Sequence, residues 1–202
     1  MSNLQILLVF ALAFFIGSIP FGYLLGKLKG VDLREEGSGN TGATNAARVL
    51  GKSVGIFTLL LDTAKGIIGV SLFELSSVAA PEFATTLLGL FVVAGHCYSP
   101  FLNFSGGKGV ATALGVFIVL SPKAVLFAMV IFASVIWITG YVSVASMLAS
   151  LTMPVLIVGT RASTDVISIE IVTFISLLIV ARHRQNIRRL RAGKEPSFIK
   201  KT

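Results

Sequence analysis

Apolar residues run through this chain in long blocks, and the polar residues gather in short clusters between them. Seven blocks stand out: Leu4–Gly26, Ser53–Phe73, Phe83–Tyr98, Val110–Leu120, Ala124–Tyr141, Val142–Gly159 and Val166–Ala181. Most approach the ~20 residues that carry a helix across a bilayer core about 30 Å thick. No water is available there for the backbone, so each block predicts a helix. The chain as a whole predicts an all-α, polytopic membrane bundle, a single integral-membrane domain over residues 1–202 with no room for a soluble one. Gly17, Pro20 and Gly22 are irregularities such a helix tolerates. Val110–Leu120 has only eleven residues, about 16 Å of helix at 1.5 Å per residue. It is either a strongly mismatched span or one lengthened through the loop before it. Ser121-Pro122-Lys123 divides it from the next block.

Composition agrees: 54% of residues are hydrophobic and 13% charged, with a mean hydropathy of +0.89. The net charge of +8 would suit nucleic acid if it covered a soluble face. It sits instead at the ends of the apolar blocks, where anionic headgroups and topology account for it, so no nucleic-acid partner is expected. With seven spans, the Lys27–Lys52 loop, the Lys108 loop and the Arg182–Thr202 tail share one side and hold 14 of the 17 Lys+Arg. The other side has Lys123 and Arg161, with Glu74, Glu82, Asp165 and Glu170 on or near it, while Lys65 lies inside a span. Basic residues stay cytoplasmic, which predicts an external N-terminus and a cytoplasmic C-terminus. Treating Pro122 as a mere kink gives six spans and works against this bias. No Lys or Arg precedes the first block, so no signal peptide is expected, and the single cysteine, Cys97, forms no internal disulfide.

Three polar clusters fall on the predicted cytoplasmic side. Gly95–Thr112 places His96, a proline and several glycines around Lys108, and Ser105-Gly106-Gly107-Lys108-Gly109 opens directly into an apolar block. Glycines admit a ligand close to backbone N–H groups, and a helix start and a lysine add positive charge, so this is a candidate anion cradle. It is not a Walker A loop: Leu102 stands at the leading glycine and Gly109 at the Ser/Thr. A glycine-rich turn at a helix end is the alternative. The first loop, Gly37–Arg48, alternates glycine with Ser38, Asn40, Thr41, Thr44 and Asn45 before closing on Arg48, whose guanidinium can grip phosphate through two nitrogens. Its alternative is a hydrophilic connector. In the third cluster His183, Asn186 and Arg189–Leu190 share a face if the last helix continues, while Arg182, Arg184 and Arg188 read as a stop-transfer cluster. Asp62 and Lys65, three apart, can pair within their span, and Ser143 and Ser146 begin another span near the same side. Together the clusters suit either bringing a phosphorylated polar substrate to a lipidic one or transporting a phosphorylated solute. No inverted repeat favours the transporter.

These residues also carry a resemblance. Ser38-Gly39-Asn40-x-Gly42-Ala43-Thr44-Asn45-x-x-Arg48, then Gly95-His96-x-x-x-Pro100-Phe101-Leu102-x-Phe104-x-Gly106-Gly107-Lys108-Gly109-Val110-Ala111-Thr112, and His183-Arg184-x-Asn186-Ile187-x-Arg189-Leu190-x-x-Gly193-x-Glu195 closely resemble the three signatures of bacterial acyl-phosphate:glycerol-3-phosphate acyltransferases. The resemblance covers nearly the whole chain, including Asp62-x-x-Lys65-Gly66. It implies transfer of a fatty acyl group from acyl phosphate to the 1-hydroxyl of glycerol 3-phosphate at the cytoplasmic face of the inner membrane, without metal or cofactor. Acyl phosphate, glycerol 3-phosphate and membrane lipids are then the expected partners. Lys108, His183, Ser146 and Asn186 become candidate catalytic residues. Ser38, Asn40, Thr41, Asn45, Arg48, His96, Gly106, Gly107, Gly109 and Arg189 become candidate substrate contacts. There is no His-x-x-x-x-Asp pair of the soluble-type acyltransferases and no evident Ser-His-Asp set. An acyl phosphate is already activated, so a substrate phosphate oxygen could take the hydroxyl proton while the protein orients and neutralises charge.

Overall fold

The computed structural model of the chain describes residues 3–75 and 81–198. The middle of the acidic Glu74–Glu82 connection, and Lys200 and Lys201 of the basic tail, lie outside the described residues. Among the described residues the fold is helical without strands: α1 Asn3–Ser18, α2 Phe21–Leu28, α3 Ala43–Leu50, α4 Lys52–Val70, α5 Leu72–Leu75, α6 Glu82–Cys97, α7 Val110–Leu120, α8 Pro122–Thr139, α9 Val142–Gly159, α10 Val166–Arg182 and α11 Arg184–Arg191. Among the described residues, five stretches are long and apolar enough to cross a membrane: Leu4–Leu28, Lys52–Val70, Glu82–Leu102, Pro122–Thr139 and Val142–Gly159. A sixth arises if α10 and α11, bent by 53° at His183, count as one. The eleven residues of α7 remain a shorter apolar helix. Pro122 is the first residue of α8, where its missing N–H costs nothing.

The helices form two compact units that meet in sequence between Val119 and Leu120. In the first, α1 packs on α6 and α4, and α4 also contacts α3 and α6. Small residues let these backbones touch. A Cβ on Gly17 would run into the Val92 carbonyl, and one on Gly95 into that of Phe14. Helices in lipid gain attraction from such close approach, because burying apolar surface supplies little there.

Pro20 interrupts the first span between α1 and α2, and interruption frees carbonyls that lipid cannot satisfy. Tertiary donors fill the gap. Ser99 Oγ donates to the Ser18 carbonyl at 2.6 Å, and Lys65 Nζ donates to the Ile19 carbonyl at 2.7 Å.

In the second unit, α9 packs between α8 and α10, and Ser176 Oγ donates across to the Ser150 carbonyl at 2.7 Å. Asp165 caps α10 by accepting from the Ser168 amide at 2.8 Å, and the Ser168 hydroxyl, with that amide, holds its carboxyl below the usual range. Gly140, at φ 75°, turns α8 into α9. Trp137 and Val155 are 83% and 73% exposed, an outward apolar surface that belongs against lipid.

Candidate active site

The first two sequence clusters lie in the first unit. In the loop before α3, Asn45 is buried and fully committed: its Nδ2 donates to the carbonyls of Leu33 (3.2 Å) and Glu36 (3.0 Å), and its Oδ1 accepts from the Ser38 amide (2.9 Å). Asn45 therefore shapes the loop that presents Ser38. Asn40 Oδ1 accepts from the Gly42 amide at 2.9 Å, closing the tight turn into α3. Thr41 is buried, whereas Arg48 is exposed in the last turn of α3. Asp32, whose partners its sequence spacing does not single out, anchors the start of this loop. It takes Arg34 through both oxygens, at 3.0 and 2.7 Å, and Lys27 at 3.1 Å. The Arg34 guanidinium outweighs partial desolvation and holds the Asp32 carboxyl far below the usual range.

The glycine loop differs from the expected cradle in one respect. The amides of Gly106 and Gly107 donate to the carbonyls of Cys97 (3.2 Å) and His96 (3.1 Å), closing the end of α6. Their lack of a side chain is needed for packing: a Cβ on Gly106 would strike the His96 carbonyl, and one on Gly107 the His96 ring at Nε2. Cationic character at this loop rests on half-buried Lys108 and on the start of α7. Gly109, at φ 85°, makes the turn into that helix, a conformation L side chains rarely adopt.

His96 faces inward. It is 8% exposed, and its Nδ1 lies 3.6 Å from Asp62 Oδ1, the oxygen that also meets Lys65 Nζ at 2.8 Å. A small pocket is lined by Thr41, His96 and Gly107 together with Asp62, Lys65 and the Ser18–Gly22 break. The two loops are thus joined around a buried charge group.

The third cluster lies in the second unit, where an acid organises it. Glu195 Oε1 accepts from Ser143 Oγ at 2.7 Å and from Asn186 Nδ2 at 2.6 Å, and its Oε2 accepts from Arg189 Nε at 2.8 Å. Burial pushes the Glu195 carboxyl up, but the hydrogen bonds from Asn186, Ser143 and Arg189 outweigh it and hold the group below the usual range. The following residues fasten the tail: the Phe198 amide donates to the Gly140 carbonyl at 2.7 Å. Asn186 Oδ1 is buried and has no hydrogen-bond partner among the described residues.

His183, 2% exposed, sits at the bend between α10 and α11 with Nδ1 2.7 Å from the Ile179 carbonyl. A carbonyl only accepts, so Nδ1 carries the proton and the lone pair of the neutral ring falls on Nε2. Ser146 donates to its own helix, to the Val142 carbonyl at 2.9 Å. Ser143, one turn earlier, makes the long-range contact. Arg188 is exposed beside Glu195-bound Arg189. Glu195 is absent from the expected site residues, although a lone acid inside a strongly basic tail is a signal that it has partners.

The glycerol-3-phosphate acyltransferase family model matches residues 7–193. A relative of that name from Geobacter sulfurreducens is 44% identical, over 95% of this chain and 97% of its own length. Another from Desulfotalea psychrophila is 45% identical, over 94% and 96%. Among solved structures, the chain is similar to PlsY (YgiH), an integral membrane glycerol 3-phosphate acyltransferase, in its glycerol 3-phosphate form: TM-score 0.88, 40% identity, 96% of both chains covered. The lysophosphatidic acid form of that protein gives a TM-score of 0.84 at 39% identity.

Proposed function

The chain belongs to the glycerol-3-phosphate acyltransferase family, and from that premise we propose that it acylates the 1-hydroxyl of glycerol 3-phosphate with acyl phosphate as donor. The products are lysophosphatidic acid and inorganic phosphate, at the first acylation of phospholipid synthesis. The observation that carries this reading is the likeness, over 96% of both chains, to an enzyme captured with glycerol 3-phosphate.

The chemistry needs little from the protein beyond placement and charge. The hydroxyl oxygen attacks the acyl carbon, the bond from that carbon to the phosphate oxygen breaks, and the departing phosphate takes the hydroxyl proton. Lys108 and the start of α7 neutralise phosphoryl and developing oxyanion charge. Gly106 and Gly107 let the Lys108 loop lie close against α6, and Gly109 makes its turn into α7. Ser38 and Arg48 of the first loop grip the glycerol 3-phosphate, Arg189 is a phosphate ligand within the third cluster, and a planar guanidinium fork matches a phosphate. His183 orients the attacking hydroxyl, helped by Asn186 and Ser146. Asn40, Asn45 and His96 hold the loops in shape through the contacts described above, and Thr41, which lines the pocket beside His96, contacts the substrate.

The whole chain acts as one domain in the inner membrane. Seven crossings, counting α7 and the α10–α11 pair, give an external N-terminus and place all three clusters on the cytoplasmic side, as the Lys+Arg asymmetry favours. The test is mass spectrometry of vesicles holding the purified protein, supplied with palmitoyl phosphate and glycerol 3-phosphate. A 1-acyl lysophosphatidic acid product supports the reading. Uptake of glycerol 3-phosphate without any acylated product overturns it in favour of a transporter.

A further inference from the structure

Asp62 and Lys65 stand three apart on α4 and could satisfy one another within their own helix. They do more than that. Lys65 Nζ also donates to the Ile19 carbonyl at the Pro20 break, and Asp62 Oδ1 also meets His96 Nδ1 at 3.6 Å. The His96 ring fills the space a Cβ on Gly107 would need, and the His96 carbonyl accepts from the Gly107 amide at 3.1 Å. Gly107 precedes Lys108. A second tie runs in parallel from the same break, where Ser99 at the head of the glycine loop donates to the Ser18 carbonyl. Asp62 and Lys65 are 2% and 3% exposed in an apolar span, where charges are expensive to keep.

We infer that Asp62, Lys65 and His96 are positioning residues. They are a buried linkage, anchored on the broken first helix, that sets where the glycine loop holds Lys108. This rests on the proposed role of Lys108 and adds residues that touch no substrate. It also separates two readings of the Asp62–Lys65 pair. If the pair only balances its own charge, removing both charges together should be tolerated, because a buried ion pair is often replaced without loss. If it locates the loop, the double change should still do damage, since His96 loses the charge that holds it and the Ile19 carbonyl its donor.

The experiment compares Asp62→Asn, Lys65→Met and the Asp62→Asn/Lys65→Met double variant in detergent. It reads hydrogen exchange over residues 98–109, thermal unfolding, and kcat and KM with palmitoyl phosphate and glycerol 3-phosphate. The double variant carries no orphan charge and guards against simple misfolding of the single ones. It should unfold cooperatively, exchange its loop amides at least ten times faster, and lose roughly 10- to 100-fold in kcat, the scale of a misplaced catalytic group. KM for glycerol 3-phosphate should move less than kcat. Rescue supplies the second arm. Gly107→Ala should be severely impaired with His96 present, and His96→Asn, which keeps a donor toward Asp62 but withdraws the ring, should recover part of that loss. A folded double variant with native loop exchange and native kcat would overturn the inference, as would a Gly107→Ala defect that ignores His96→Asn. Loop exchange that responds to these changes in a protein forming no lysophosphatidic acid would sink the proposed function and leave the linkage standing.

Discussion

Replacing Glu195 by alanine should loosen the end of the second unit more than any other single change in the tail. The side chain is 6% exposed and accepts three hydrogen bonds, from Ser143, Asn186 and Arg189. Hydrogen bonds to a charged group contribute about 1.5–3 kcal/mol each. Ser143 and Asn186 share one oxygen, and Arg189 keeps 28% of its side-chain surface in solvent, so simple addition would overstate the loss. Breaking a buried ion pair costs about 3–5 kcal/mol, and the lower end applies here. Glu195→Ala should therefore cost about 3 kcal/mol, or roughly 6–12 °C in melting temperature for a chain of this size. Glu195→Gln keeps an acceptor oxygen but drops the charge, and should cost about 1–2 kcal/mol. Acid should mimic the loss. A carboxyl held below its ordinary value contributes stability above the unfolded value of about 4.3, and that stability disappears as pH falls through the folded value. The assay is a thermal melt in detergent paired with hydrogen exchange at the Phe198 amide, which donates to the Gly140 carbonyl. That amide should lose protection in Glu195→Ala at neutral pH, and in the native protein once acid takes the pH below the ordinary carboxylate range. A melting temperature within about 1 °C of native, with Phe198 still protected, would refute the reasoning.

Three further outcomes follow from the proposed roles. Lys108→Ala should lower turnover by about two orders of magnitude or more in a folded protein, as loss of one preorganised charge donor does elsewhere, and near-native kcat would return the loop to a structural turn. Arg48→Lys and Arg189→Lys should raise KM for glycerol 3-phosphate while changing acyl-phosphate dependence less, because lysine lacks the planar fork. Exposed Arg188→Ala is the control, and equal damage there would mean that the tail acts only as a diffuse basic anchor. Single cysteines at Ser2 and Lys200, in a Cys97→Ser background, should label from opposite sides of sealed vesicles, and labelling from one side would mean an even number of crossings.

The helices were readable from hydropathy because lipid leaves a backbone few options, and the restart at Pro122 falls where a missing N–H predicts it. Pro20, expected as a tolerated irregularity, instead breaks the first block into α1 and α2, whereas Pro154 stays inside α9. The Asp62–Lys65 pair was readable for the same local reason, being one helical turn apart. What spacing could not convey is where a side chain goes after leaving its own helix. Asn45 looked like a ligand yet spends its amide on three loop groups. Gly106 and Gly107 looked like anion donors, but their amides close the end of α6, and their value lies in the Cβ they lack. Ser143 and Ser146 are indistinguishable in sequence, and only folding of the tail, which delivers Glu195 to Ser143, tells them apart. In each case the missing information is a long-range contact, which a periodic pattern does not encode.

The central claim is that acyl transfer and phosphate release are one event that requires both substrates. The direct measurement is continuous detection of inorganic phosphate from the purified protein, with palmitoyl phosphate and glycerol 3-phosphate added separately and then together. The account predicts phosphate only when both are present, one for each lysophosphatidic acid formed. Equal phosphate release without glycerol 3-phosphate, or none with both substrates present, would contradict it.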